Sequence, residues 1–264
     1  MLKSILFFVA LLVLTSCANN RKNSATKLQP DNDFMYQYSI IDALLAGAFD
    51  GDMTIGELKK KGDFGIGTFN RADGELLMNE GVLYRTRYDG STQVVPDTDS
   101  TSAAFIKFFK SDTSWVMEES QFNYATVQKK LVEWMNPNSM YAIRISGHFA
   151  TMNTRAEYPA EKPYPTLSEH LKTKQTLFNL SSTNGVCVGF WLPVYLARTN
   201  VPGFHFHYMA DDKKSGGHIF DFTSKKIKIE VDEIKGFSIE ANTNPDFKTV
   251  NLQADRSVEL KNIE

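Results

Sequence analysis

Three of the chain's five histidines fall in residues 201–222, VPGFHFHYMADDKKSGGHIFDF. His205 and His207 are separated by one residue and flanked by Phe204, Phe206 and Tyr208, a strand-like composition. Successive side chains of a strand alternate faces, so both rings point the same way. The polar run from Asp211 to Gly217 reads as a turn, after which His218 opens a second short strand. A hairpin centred between Asp212 and Lys213 sets His218 opposite His207 and Phe220 opposite His205, with all three imidazoles on one face. Three neutral imidazoles suit a zinc-type ion and leave a fourth position open for water or substrate. The competing reading is a partly buried polar patch, because His-x-His alone is common in strands. The third histidine at hairpin distance favours the metal. Asp211 and Asp212 read as solvated turn residues, not as further ligands.

These histidines sit in a chain of 264 residues with formal net charge −2, 42% hydrophobic and 23% charged. Such a balance fits a globular protein with one large or two modest cores. It gives no basic stripe for nucleic acid; the densest basic run, Lys225-Lys226-Ile227-Lys228, reads as the solvated face of a strand.

The first residues read as a targeting segment. Lys3 precedes an apolar run from Ile5 to Leu14, too short for a comfortable permanent span, followed by Leu14-Thr15-Ser16-Cys17. That tetrapeptide resembles a bacterial lipobox, with cleavage before Cys17 and a lipid on its sulfur. A plain signal peptide with an incidental cysteine is the alternative. Residues 1–16 are thus expected to be a lipoprotein signal peptide and 17–33 a polar, flexible tether. The expected location is an exported, membrane-anchored lipoprotein. With Cys17 lipidated, only Cys187 remains and no internal disulfide is possible. Cys187 lies in an apolar run and reads as a small buried hydrophobe.

Beyond the tether, short strands alternate with turn signals. Residues 40–49 read as a short helix or strand, and Thr54 and Glu57 have capping-box spacing. Strands are expected over 64–69, 75–78, 82–88 and 103–109, with Asp73-Gly74 a strong turn. Asn123 caps an expected helix over 124–135, burying Val127, Leu131, Trp134 and Met135. Strands follow over 140–146 and 149–154, then a Pro-rich loop at 161–165 and a helix over 166–175 with a second capping box at Thr166 and Glu169. The remainder reads as strands at 176–180, 186–191, the histidine hairpin, 225–231 and 237–240. The expected fold is β-rich α/β. Residues 34–160 form an N-terminal mixed-sheet domain with helices, and 161–264 a C-terminal β-barrel-like domain carrying the metal site.

Several segments together resemble the bacterial acetolactate decarboxylases. They are GDFGIGTF at 62–69, DGEL at 73–76, EKPYP at 161–165, VGFW at 188–191, and HxH with the third histidine after ten intervening residues. They keep their order from about Tyr36 to the chain's end, and their combination is specific where each piece is weak. The resemblance implies a two-domain, usually dimeric protein with zinc in its C-terminal barrel. It implies conversion of (S)-2-acetolactate to (R)-acetoin and carbon dioxide without thiamine. The zinc ligands carry onto His205, His207 and His218. The catalytic positions carry onto Thr68, Glu75 in DGEL, and Arg155 on the strand before EKPYP. The family's C-terminal glutamate carries onto Glu264, with Glu259 as the rival.

A 2-hydroxy-3-keto acid sheds carbon dioxide when the electron pair left behind has somewhere to go. Its ketone and hydroxyl oxygens are adjacent and suit chelation of one metal, a Lewis acid for the developing enediolate. Arg155 would hold the carboxylate with its planar fork. Glu75 and Glu264 would handle protons, with the choice of donor left open. Each residue also has a bland reading: Glu75 as a solvated charge, Arg155 as the partner of Glu157, Glu264 as a loose chain end. His148 and His170 receive no role; His170 is expected to be exposed. Two rival readings stand beside the decarboxylase. A cupin-like metal oxygenase or isomerase shares the histidine pattern but usually adds a glutamate soon after the pair, absent from residues 208–214. A non-enzymatic, lipid-anchored binding module would leave Glu75 and Arg155 far from the histidines.

Overall fold

The computed structural model describes residues 32–263. Cys17, the expected signal segment, nearly all of the expected tether and Glu264 lie outside the described residues.

Two sheets organise the chain. The first holds β1 (Phe34–Tyr38), β2 (Met53–Thr54), β3 (Phe64–Phe69), β4 (Glu75–Asn79), β5 (Val82–Thr86), β6 (Thr92–Val94), β7 (Ser100–Lys107) and β13 (Gly236–Glu240). Its order is β13-β1-β7-β3-β4-β5-β6, with β2 also on β7. The second holds β8 (Thr113–Asn123), β9 (Met140–Glu157), β10 (Gln175–Leu192), β11 (Gly203–Ala210) and β12 (Gly216–Ile234) in the order β11-β10-β9-β12-β8. β11 also pairs with β12, so four strands close a ring at the histidine end.

Sheet membership does not change at residues 160/161, where the sequence suggested a division. β8 and β9 precede that point yet belong to the second sheet, while β13 returns to pair parallel with β1 in the first. Two expected pairs of short strands are in fact single strands of 18 residues, β9 and β10. β9 runs through Gly147, where an added Cβ would lie 2.7 Å from the Lys226 carbonyl. The glycine that looked like a turn is a place of close strand approach.

Between the sheets, Phe64, Ile66 and Phe105 pack on Val188, Phe190 and Met209. Each such side chain contributes about 1.5–3 kcal/mol on burial. The buried ion pair Lys107–Asp232 joins β7 to β12 within this layer. Burial lowers the Lys107 ammonium and raises the Asp232 carboxyl against their ordinary values. Such a pair orders the interface more than it stabilises it.

The short helices cover the sheet edges. α1 (Ile41–Leu45) and α2 (Ile55–Leu58) lie against the first sheet, α2 with the expected capping box at Thr54. α3 (Tyr124–Trp134) is capped by Asn123 as expected, and Val127 and Leu131 are fully buried. Trp134 is not: it is 51% exposed, at the margin where it meets Trp115 and Tyr141. α4 (Leu167–Leu171) carries the second capping box, α5 (Pro245–Thr249) follows β13, and α6 (Ser257–Lys261) ends the described chain. Leu260 and Ile263 pack with Ile41, Leu45, Leu167 and Leu171, fastening the tail to α1 and α4. His170 is buried, contrary to its expected exposure, because Nε2 meets the Tyr158 carbonyl at 2.7 Å. Cys187 is buried as expected, and burial pushes its thiol pKa up.

Candidate functional site

The histidine hairpin has the register read from the sequence at its centre: His207 lies opposite His218. Pairing between β11 and β12 stops at that rung. Phe220 is therefore not the cross-strand partner of His205; it is passed over at a bulge where β12 joins β9. Its ring packs on His218 and under the Arg155 guanidinium. Ring centroids of the three histidines lie 5.0–5.6 Å apart. One ligand atom from each comes within 4.8 Å of the others.

Burial keeps these rings neutral. It pushes His205 down to about 3, with the Arg155 charge adding to the effect, and holds His207 and His218 well below the imidazole range. Neutral imidazole is the form that ligates metal. Nδ1 of His207 lies 2.8 Å from the Leu76 carbonyl. A carbonyl only accepts, so Nδ1 carries the proton and Nε2 presents its lone pair, the usual support for a metal-bound histidine. That Nε2 faces Glu75 Oε2 at 3.1 Å. A lone pair facing a carboxylate oxygen is resolved by a cation beside both, so the donor set and its surroundings fit a divalent ion.

Strands of the first sheet supply the other side of the cavity. Gly74, at φ +89°, turns the chain into β4; a Cβ there would sit 2.3 Å from the Thr86 carbonyl, so the turn requires glycine. The turn delivers Glu75, buried and paired in register with Thr68 of β3. Thr68 Oγ1 donates toward the Gly74 carbonyl at 2.9 Å and toward Glu157 Oε1 at 3.1 Å. Arg155 is the register partner of His218 across β9 and β12. Its Nε lies 3.8 Å from Glu75 Oε1 and makes no hydrogen bond among the described residues, while Nη1 donates to the Ile263 carbonyl at 2.6 Å. The expected alternative pairing of Arg155 with Glu157 is thus replaced by Glu75 and the tail. The apolar walls are Ile41, Leu44, Leu167, Leu171 and Ile263.

Thr68, Glu75 and Arg155 therefore gather at the three histidines, against the arrangement a binding module with structural histidines required. Glu259, the rival tail carboxylate, instead pairs with Arg256 at 2.8 Å and does not line the cavity. His148 is exposed and meets Ser182; Asp211 and Asp212 are solvated. In the sequence Glu157 reads only as a pairing partner for Arg155, with no place in the site. Its spacing from Arg155 carried the signal, because i and i+2 of a strand share a face. The Leu76 and Ile263 carbonyls left no such signal, since main-chain contacts do not depend on residue type.

A buried, neutral histidine triad beside a carboxylate and an arginine defines a candidate metal-dependent lyase. The chain belongs to the alpha-acetolactate decarboxylase family, whose model matches residues 35–254. As a member it is an enzyme, a carboxy-lyase. It is 32% identical over 256 residues to the alpha-acetolactate decarboxylase of Methanosarcina mazei, covering 95% of this chain and 88% of that one. To the protein of that name from Bacillus subtilis strain 168 it is 35% identical over 219 residues, covering 83% and 85%. The crystal structure of alpha-acetolactate decarboxylase from the same strain superposes with a TM-score of 0.83, covering 86% of this chain and 97% of that chain.

Proposed function

We propose that this enzyme converts (S)-2-acetolactate to (R)-acetoin and carbon dioxide at the histidine triad, with zinc as the metal and without thiamine. The observation that carries the reading is the convergence of Glu75 and Arg155 on three neutral imidazoles. His205, His207 and His218 would hold the ion, which when bound supplies Lewis acidity to the substrate's keto group. Arg155 binds the substrate carboxylate: its buried Nε makes no hydrogen bond and an incoming anion satisfies it. Glu75, between Arg155 and His207, is placed to move a proton to one face of the carbon that loses its carboxyl group, which gives a single enantiomer. Thr68 fixes the Glu75 side of the cavity through its register pairing. Glu264 remains the candidate second carboxylate; it directly follows Ile263, whose carbonyl meets Arg155. The active form is a homodimer. The mature chain starts at lipidated Cys17 and acts outside the cytoplasmic membrane on acetolactate that has left the cell.

The test is incubation of purified mature protein with 2-acetolactate, with and without a chelator, following acetoin by chiral chromatography. Acetoin is expected only with metal present. His207→Ala is expected to lose both bound metal and turnover, and turnover retained by that variant rules out the site.

A further inference from the structure

Glu157 stands two residues past Arg155 on β9, on the same strand face and about 7 Å farther along at 3.3 Å per residue. It is 5% exposed and lines the same cavity, with Leu167 and Leu171 beside it. Its Oε1 accepts from Thr68, but its Oε2 is buried with no hydrogen-bond partner among the described residues. The cavity's cation does not supply one: Arg155 turns Nε toward Glu75 and Nη1 to the Ile263 carbonyl. A buried carboxylate oxygen without a donor is costly, and each such atom in a folded protein calls for an explanation. Glu157 is one of the residues lining the cavity, whose apolar lining includes Leu167 and Leu171.

We propose that Glu157 forms a second polar subsite and determines specificity: Oε2 accepts a hydrogen bond from a hydroxyl group on an alkyl arm of the substrate. Beside 2-acetolactate, 2-hydroxy-3-keto acids bearing a further hydroxyl on the C2 or C4 substituent would be substrates that gain this bond. Their reaction is that of 2-acetolactate: the C1–C2 bond breaks, carbon dioxide leaves, and C2 takes up a proton. An unsubstituted methyl group leaves the oxygen without a donor, whereas a hydroxyl satisfies it. A ligand that pairs a buried polar group is favoured over one that leaves it unpaired. The inference rests on the decarboxylase reading above.

The experiment measures carbon dioxide release by the metal-loaded enzyme from 2-acetolactate, its 4-hydroxy derivative and its 2-hydroxymethyl counterpart. The quantity read is kcat/KM for the better hydroxylated substrate divided by that for 2-acetolactate. Glu157→Val is expected to lower this ratio about 10- to 100-fold, the range for a hydrogen bond to a charged group. Glu157→Gln, which keeps the shape, is expected to lower it less, because its one oxygen must serve both Thr68 and the substrate. If Glu157→Val does not fold by circular dichroism, the Gln variant carries the test. A ratio equal in the wild type and the folded variants overturns the subsite. Absence of carbon dioxide from every substrate with the wild-type enzyme would instead strike the decarboxylase reading.

Discussion

Arg155 shows how one side chain is divided among three demands. It is buried, carries a fixed charge, gives one amino group to the Ile263 carbonyl, and keeps Nε unbonded among the described residues, beside Glu75. Arg155→Lys preserves the charge but replaces the planar fork with a point donor. It is expected to lower kcat/KM for 2-acetolactate about 10- to 100-fold, from loss of a charge-assisted hydrogen bond of about 1.5–3 kcal/mol. Bound metal should stay at the wild-type level, since no histidine is altered; equal loss of metal and activity would place Arg155 in the scaffold instead. The histidine triad was legible in the sequence because alternation and hairpin symmetry need only residue spacing. Glu75 and Arg155 were not legible from spacing, because they reach the triad from β4 and β9 through pairings between distant segments. The resemblance to a family named them, and the strand geometry explains why they belong there.

Among the elements, β9 and β12 carry most of the arrangement: they pair with one another and bring Arg155 to His218. Farther along the same pair of strands, Arg144 faces Glu230 in register, with contacts of 2.9 and 3.1 Å, and Lys228 reaches the same carboxylate. Burial acts to raise the Glu230 carboxyl, but the hydrogen bonds from Arg144 and Lys228 outweigh it and hold the group below its ordinary value. A carboxyl depressed on folding contributes stability above its unfolded value, and that contribution is lost as pH falls through the folded one. Urea denaturation is thus expected to show stability falling below pH 4.5, the ordinary value for the group. Glu230→Gln should be less stable than the wild type at neutral pH and approach it in acid. Parallel curves across that range would mean the pair adds nothing. Local signals found the caps and one turn: both capping boxes, the Asn123 cap and the Asp73-Gly74 turn are all present, but β8 was missed and the helix expected over 166–175 ends at Leu171. They misjudged strand length at Gly147 and the sheet to which β13 belongs. Both depend on what the strand lies against, which short-range periodicity does not encode.

At the scale of the whole molecule, the candidate site lies within the described residues 32–263, and the expected anchor precedes them. The described residues lining the site run from Ile41 to Ile263, most of them on two sheets that pack through a shared apolar layer. The lipobox-like Leu14-Thr15-Ser16-Cys17 lies before them, outside the described residues. Attachment by Cys17 would then set where the reaction occurs without altering its chemistry. Acyl chains bind membranes at about 0.8 kcal/mol per buried methylene, and more than one chain is needed for stable anchoring. The full-length chain produced in a bacterium is expected in the detergent-extracted membrane fraction, with an N-terminal peptide whose mass shows a lipid on Cys17. Cys17→Ser should lose that mass and accumulate as the unprocessed precursor. A form beginning at residue 32, made in the cytoplasm, should be soluble and should release acetoin with the kcat of the lipidated enzyme. Soluble, unlipidated wild-type protein would remove the anchor, and a fall in kcat on truncation would show that the N-terminal stretch contributes to the site after all.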